Sequence, residues 1–101
     1  MKTIVITGAG GVLCSTLAKA LAKQGHQIAL LDLKKEAADQ VANEINSAGG
    51  KAIGVGANVL EKESLEAAKK EVIDKLGSCD ILINGAGGNH PLGTTSNPFL
   101  L

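Results

Sequence analysis

The chain has 101 residues, with ten basic and ten acidic side chains that cancel. That is enough for one small domain, without the basic excess of a nucleic-acid-binding surface. At 45% hydrophobic and 20% charged it has the composition of a folded protein, not a disordered one, and no apolar run approaches the roughly 18 residues of a membrane span.

The opening Met1-Lys2-Thr3-Ile4-Val5-Ile6 starts as a signal peptide does, but its apolar run stops at Thr7-Gly8. It therefore reads as the first strand of a cytoplasmic protein. Thr3 to Ile6 is short, continuous and β-branched, which predicts a strand buried on both faces. After Gly8-Ala9-Gly10-Gly11 a helix is predicted from Val12 to Gln24, with Leu13, Leu17 and Leu21 as its apolar stripe and Gly25 just past its end. His26 to Leu31 reads as a second strand, stopping at Asp32. Lys35 to Ala48 reads as a second helix, with Ala38, Val41 and Ile45 on one face and Gly49-Gly50 closing it. Lys51 to Val55 is a short third strand. Glu61 to Leu76 is a third helix, striped by Leu65, Ala68, Val72 and Leu76 and ended by Gly77. Asp80 to Asn84 is a fourth strand running into Gly85-Ala86-Gly87-Gly88.

The order β-α-β-α-β-α-β forces parallel strands and right-handed crossovers. The expected fold is α/β and Rossmann-like, half of a doubly wound sheet with strand order 3-2-1-4. Residues 1–95 form that half-domain, and 96–101 form an irregular tail. One Phe and no Trp or Tyr leave the core to aliphatic side chains, which suits thin helix-on-sheet layers. Cys14 and Cys79 are too far apart for a CxxC pair, and with two histidines they make a poor zinc set. Reduced thiols are the plain reading.

In an open parallel sheet, ligands bind beyond the carboxyl ends of the strands. Three strand ends here carry suitable residues. Thr7-Gly8-Ala9-Gly10-Gly11 lets the chain turn sharply and lets phosphate approach the backbone, where the first-turn amides of Val12 and Leu13 bind an anion. An ordinary tight turn explains the same glycines. Neither GxxxxGK[ST] nor strict GxGxxG is met, since Leu13 stands at the last glycine of each. Asp32 closes the second strand, where a carboxylate accepts from the adenosine ribose hydroxyls and repels a 2′-phosphate. This favours NAD over NADP, although Lys34 and Lys35 partly offset the repulsion; a solvated loop acid is the alternative. Asn84-Gly85-Ala86-Gly87 leaves room for a flat ligand, or is a glycine turn. Beyond these three, Asn58-Val59 after the third strand lines an adenine pocket or simply forms a turn.

Taken together, Thr7-Gly8 with its glycines, Asp32, Asn58-Val59 and Asn84-x-Ala86-Gly87 resemble the cofactor half of the short-chain dehydrogenase/reductase family. The stretches Thr7 to Cys14 and Asn84 to Pro91 are similar, more particularly, to a bacterial branch of D-mannonate oxidoreductases (fructuronate reductases). The resemblance implies a pyrophosphate over Gly8 to Leu13, adenosine at Asp32 and Asn58, and the nicotinamide ribose near Asn84, Ala86 and Gly87. The chain departs from the family pattern in four places. The usual TGxxxGxG puts glycines at Val12 and Cys14, with Gly10-Gly11 shifting the turn to compensate. Gly85 replaces the second Asn of NNAG, and Asn58 replaces the commoner Asp. Cys14 is small enough to pack as the third glycine does, or is a redox-sensitive thiol at a helix start. His90 is a loop histidine or a base.

The family's hydride transfer relies on a YxxxK pair and a serine, and a chain without tyrosine has no such pair. Two readings follow: the NAD-binding part of a truncated oxidoreductase, or a stand-alone dinucleotide-binding module. An S-adenosylmethionine-binding domain is a lesser third. In each, no nucleic acid or membrane partner is expected. The outer edge of strand four is left open to self-association or to a missing C-terminal half.

Overall fold

The computed structural model describes residues 1–58 and 60–85. Four strands and three helices alternate: β1 (Thr3–Thr7), α1 (Val12–Lys23), β2 (Gln27–Asp32), α2 (Lys35–Ser47), β3 (Lys51–Gly56), α3 (Lys62–Leu76) and β4 (Ile81–Asn84). The strands are all parallel, in the order β3-β2-β1-β4. This is the Rossmann-like sheet that the βα rhythm predicts.

The central strands show why they are β-branched and unbroken in hydrophobicity. Successive side chains of a strand point to opposite faces, and both faces of β1 and β2 are covered. Ile4, Ile6, Ile28 and Leu30 pack with Ala18 and Ala22 of α1 and Ala38, Val41 and Ile45 of α2. Val5, Ala29 and Leu31 turn the other way, onto Ala68, Val72 and Leu76 of α3. The result is three layers, with α1 and α2 on one side and α3 on the other. Each fully buried Ile or Leu contributes on the order of 1.5–3 kcal/mol. Two of the buried polar side chains are tied together: the Gln27 amide donates to Thr3 Oγ1 and to the Leu76 carbonyl, anchoring the end of α3 below the sheet.

Most predicted boundaries agree with the structure to within a residue. The α2 and α3 stripes are as expected, and glycines 25, 49 and 77 follow the helices with φ near +94°, +93° and +98°. One expectation is overturned. The inward face of α1 is not Leu13-Leu17-Leu21 but Cys14, Ala18 and Ala22, with Leu21 at its margin. Leu13 is 83% exposed and Leu17 38%. The true stripe is one residue, about 100°, out of phase with the predicted one. Small side chains let the helix axis approach the sheet, and ranking positions by hydrophobicity alone picks the bulkier neighbours instead.

Candidate functional site

Parallel pairing brings the carboxyl ends of all four strands to one edge. Thr7 lies beside Leu31 and Asn84, and Asp32 beside Gly56. The loop after β1 is pinned to that edge. Ala9 is fully buried, and its amide donates to the Leu31 carbonyl at 3.0 Å. Gly8 takes φ +66°, and its carbonyl accepts from Gly11 at 3.2 Å. Gly10 is glycine for want of room: a Cβ there would lie 2.6 Å from Ala37 Cβ and 2.9 Å from Asp32 Oδ2. Gly11 is less constrained, since a Cβ there would meet nothing closer than the Gly8 carbonyl oxygen at 3.5 Å.

Helix α1 starts without a side-chain cap. Its N-cap, Gly11, has no side chain to offer, and no acid lies in the first turn. The first acceptor bond into the helix runs from Ser15 N–H to the Gly11 carbonyl at 2.9 Å. The amides of Val12, Leu13 and Cys14 precede it, as the orphan donors of any helix start do. They sit at the positive end of the helix dipole. Val12 and Leu13 are 86% and 83% exposed, so the side chain that replaces the family's glycine at Val12 stands in the open. The Ser15 and Thr16 hydroxyls donate back to the Val12 carbonyl at 3.0 and 2.9 Å.

Asp32 is the hinge of the arrangement. One carboxylate oxygen accepts from Gly10 N–H at 2.9 Å and the other from Lys34 N–H at 3.0 Å. The acid therefore stands directly against the glycine loop. Its own carbonyl accepts from Ala57 N–H at 2.9 Å, which joins the ends of β2 and β3. Of the two lysines expected to soften its charge, Lys35 is turned to Asp39 at 2.7 Å. That contact holds the Lys35 pKa above its usual value.

At the next strand end, Asn58 is engaged locally. Its Oδ1 accepts from Leu60 N–H at 3.0 Å, its Nδ2 donates to Glu61 at 3.1 Å, and its N–H donates to Ser64 Oγ at 2.8 Å. This is the turn that launches α3, and one amide hydrogen and one lone pair are left for anything else. At the β4 end, the buried Thr7 hydroxyl donates to Asn84 Oδ1 at 2.7 Å and accepts from Gly85 N–H at 3.1 Å.

The structure thus brings Thr7, Gly8, Gly10, Gly11, Val12, Leu13, Asp32 and Asn84 to one edge, with Asn58 beside them through Ala57. Val59, Ala86, Gly87 and His90 lie outside the described residues. Sequence reasoning missed Ala37, whose methyl faces Gly10, and Ser64, whose hydroxyl ties down Asn58. The habit of asparagine of accepting from the backbone two residues on was the available signal for the bond from Leu60 N–H. A shallow groove elsewhere is lined wholly by α2, including Glu36, Asp39 and Glu44; its carboxylates suit no anion. No group of three or more potential metal ligands occurs among the described residues, and no helix among them is long and apolar enough to cross a membrane.

Known proteins resemble this chain in sequence and in fold. A family model described as short chain dehydrogenase matches residues 2–99. An uncharacterized oxidoreductase of Haemophilus influenzae is 59% identical over 98 residues, covering 97% of this chain and 34% of the relative. An uncharacterized oxidoreductase of Bacillus subtilis is 51% identical over 90 residues, covering 89% of this chain and 32% of the relative. A crystal structure of a candidate D-mannonate oxidoreductase from Haemophilus influenzae, with bound NAD, superposes at a TM-score of 0.84 and 60% identity, covering 89% of this chain and 32% of that one. The chain spans about a third of the length of these relatives. It belongs to the short chain dehydrogenase family.

Proposed function

We propose that this chain is the NAD-binding part of an oxidoreductase acting on a sugar acid of the D-mannonate/D-fructuronate kind. The observation that carries the reading is the Asp32 carboxylate held against the glycine loop at 2.9 Å from Gly10 N–H. It sets a fixed negative charge beside the uncapped, acid-free start of α1. A dinucleotide asks for that pair of environments: donors for a diphosphate, and an acceptor for ribose hydroxyls next to it.

The residues present fit such a group. Gly8, Gly10 and Gly11 keep side chains away from the loop, and the Val12, Leu13 and Cys14 amides are the donors for phosphate oxygens. Asp32 is the ribose acceptor, and its charge disfavours a 2′-phosphate, hence NAD before NADP. Thr7 orients Asn84 through its hydroxyl for the nicotinamide ribose, a role the reading extends to Ala86 and Gly87. Asn58 and Val59 border the adenine. When bound, the nicotinamide supplies hydride acceptance or donation. With no tyrosine among the 101 residues, the acid of the family's YxxxK pair is not in this sequence, and the role read here is binding.

The sugar-acid substrate is supported by likeness to the candidate D-mannonate oxidoreductase. Two free thiols, Cys14 and Cys79, fit a reducing compartment, so the reading places the protein in the cytoplasm. It also includes self-association along β4, one of the two edge strands among the described residues, where Ile81 is 41% exposed.

Titration with NADH tests the reading, and the absence of Trp and Tyr leaves the cofactor's fluorescence free of protein background. Saturable binding displaced by NAD and not by S-adenosylmethionine is expected. Binding of S-adenosylmethionine alone would overturn it.

A further inference from the structure

Gly85 has no backbone reason to be glycine, for it is not among the residues with positive φ. Space excludes a side chain there. A Cβ on Gly85 would collide with Sγ of Cys14 and would lie 2.8 Å from the Thr7 carbonyl oxygen. Cys14 belongs to the first turn of α1 and packs at the margin of the α1/α2 core. Gly85 follows β4, and its amide donates to both the carbonyl and the hydroxyl of Thr7, each at 3.1 Å. The thiol and the Thr7 carbonyl thus both stand where a side chain on Gly85 would go, at the end of β4. These two positions are also two of the four where the chain departs from its family's glycine and asparagine pattern. One gains a side chain where the other loses one, and the structure puts them in contact.

We propose that Cys14 and Gly85 are a complementary pair that sets the spacing between the first turn of α1 and the end of β4. The thiol is a positioning group: it fixes where Asn84 stands relative to the phosphate-binding amides. This rests on the dinucleotide reading above. In that reading, one half of the cofactor is held by Asp32 and the helix start, and the other must reach the β4 end. A wrong spacing between the two therefore penalises a ligand that spans both, and spares one that occupies only the first.

NAD and ADP make that distinction, because ADP lacks the nicotinamide riboside. Calorimetric titration of the protein with each, for wild type, Gly85→Ala, Cys14→Gly and the double variant, forms a cycle in which coupled sites are non-additive. Gly85→Ala is expected to weaken NAD about tenfold, equivalent to ~1.4 kcal/mol, with ADP unchanged within about twofold. Adding Cys14→Gly should recover part of the loss, the contact with the Thr7 carbonyl remaining. Should Gly85→Ala fail to fold, Cys14→Ala removes only the sulfur. It should weaken NAD several-fold against ADP, while Cys14→Ser, which nearly restores the volume, brings NAD affinity back. A double variant as weak as Gly85→Ala would overturn the proposal, since the Thr7 carbonyl alone would then set the limit. So would parallel loss of ADP and NAD, or a Cys14→Ala protein with full NAD affinity. A wild type that binds no NAD overturns the dinucleotide reading and the positioning role with it, whereas normal NAD binding without coupling sinks only the pair.

Discussion

Adding one methyl group at Gly10 should do far more damage than adding the same group at its neighbour. A Cβ at Gly10 would stand 2.6 Å from Ala37 Cβ and 2.9 Å from Asp32 Oδ2, where carbon atoms prefer roughly 3.5–4.0 Å. The loop or helix α2 must retreat by about 1 Å, at the ~1–3 kcal/mol typical of overpacking. The retreat also stretches the 2.9 Å bond from Gly10 N–H to the carboxylate. At Gly11, φ is −72° and the nearest atom to a new Cβ is 3.5 Å away. There an alanine meets no clash, and the narrower unfolded ensemble offsets much of the ~0.5–1 kcal/mol by which alanine is a poorer N-cap than glycine. Gly10→Ala should therefore lose about 2 kcal/mol, a drop of roughly 8–16 °C in melting temperature for a domain this small, while Gly11→Ala stays within about 3 °C by the same conversion. Circular dichroism melts of the two proteins read this directly. Equal shifts, or a larger one at Gly11, would refute the account of how the loop is held.

Three further outcomes follow from the same structure. Asp32→Ala removes the charge that faces the loop. The variant should bind NADP about as well as NAD in competitive titration, where the parent favours NAD by about tenfold, and an unchanged ratio would count against the acid's role. Burial pushes the Cys79 thiol above its ordinary value of 9.0, and its Sγ is spent on the Ile81 carbonyl at 3.2 Å. Because the folded pKa is raised, the neutral thiol's contribution to stability is intact below the unfolded value and is lost as pH climbs through the folded one. Alkylation of Cys79 should accordingly be slow near neutrality and still be climbing with pH where the rate of an ordinary exposed thiol has levelled off. Sedimentation velocity should show concentration-dependent association that Ile81→Lys suppresses, since a charge at an exposed strand edge opposes pairing with another chain; a monomer at all concentrations contradicts it.

Much of the fold was readable because its determinants are local and periodic. Unbroken β-branched runs such as Thr3 to Ile6, and glycines just past the helices at 25, 49 and 77, need no knowledge of the rest of the chain. Asp32 could be found for the same reason, as a carboxylate ending an apolar run. The inward face of α1 could not be chosen from hydrophobicity, because close helix–sheet packing selects Ala18 and Ala22 over Leu13 and Leu17. Contacts between distant segments leave no period at all. The bond from Gly10 to Asp32 spans 22 residues and that from Thr7 to Asn84 spans 77, and the Cys14–Gly85 contact is of the same kind. Asn58 was ambiguous on sequence grounds because the side chain that makes a turn is equally suited to an adenine, and its local bonds emerge only with Glu61 and Ser64 in place.

The most direct measurement is an amide proton–nitrogen NMR titration of the isotopically labelled chain with NAD. The account predicts the largest shifts at Gly10, Val12, Leu13 and Cys14, with Lys34 following as the carboxylate of Asp32 takes up the ribose. Shifts centred instead on the outer face of α2, at Glu36, Asn43 or Ser47, with the amides that open α1 unmoved, would contradict it.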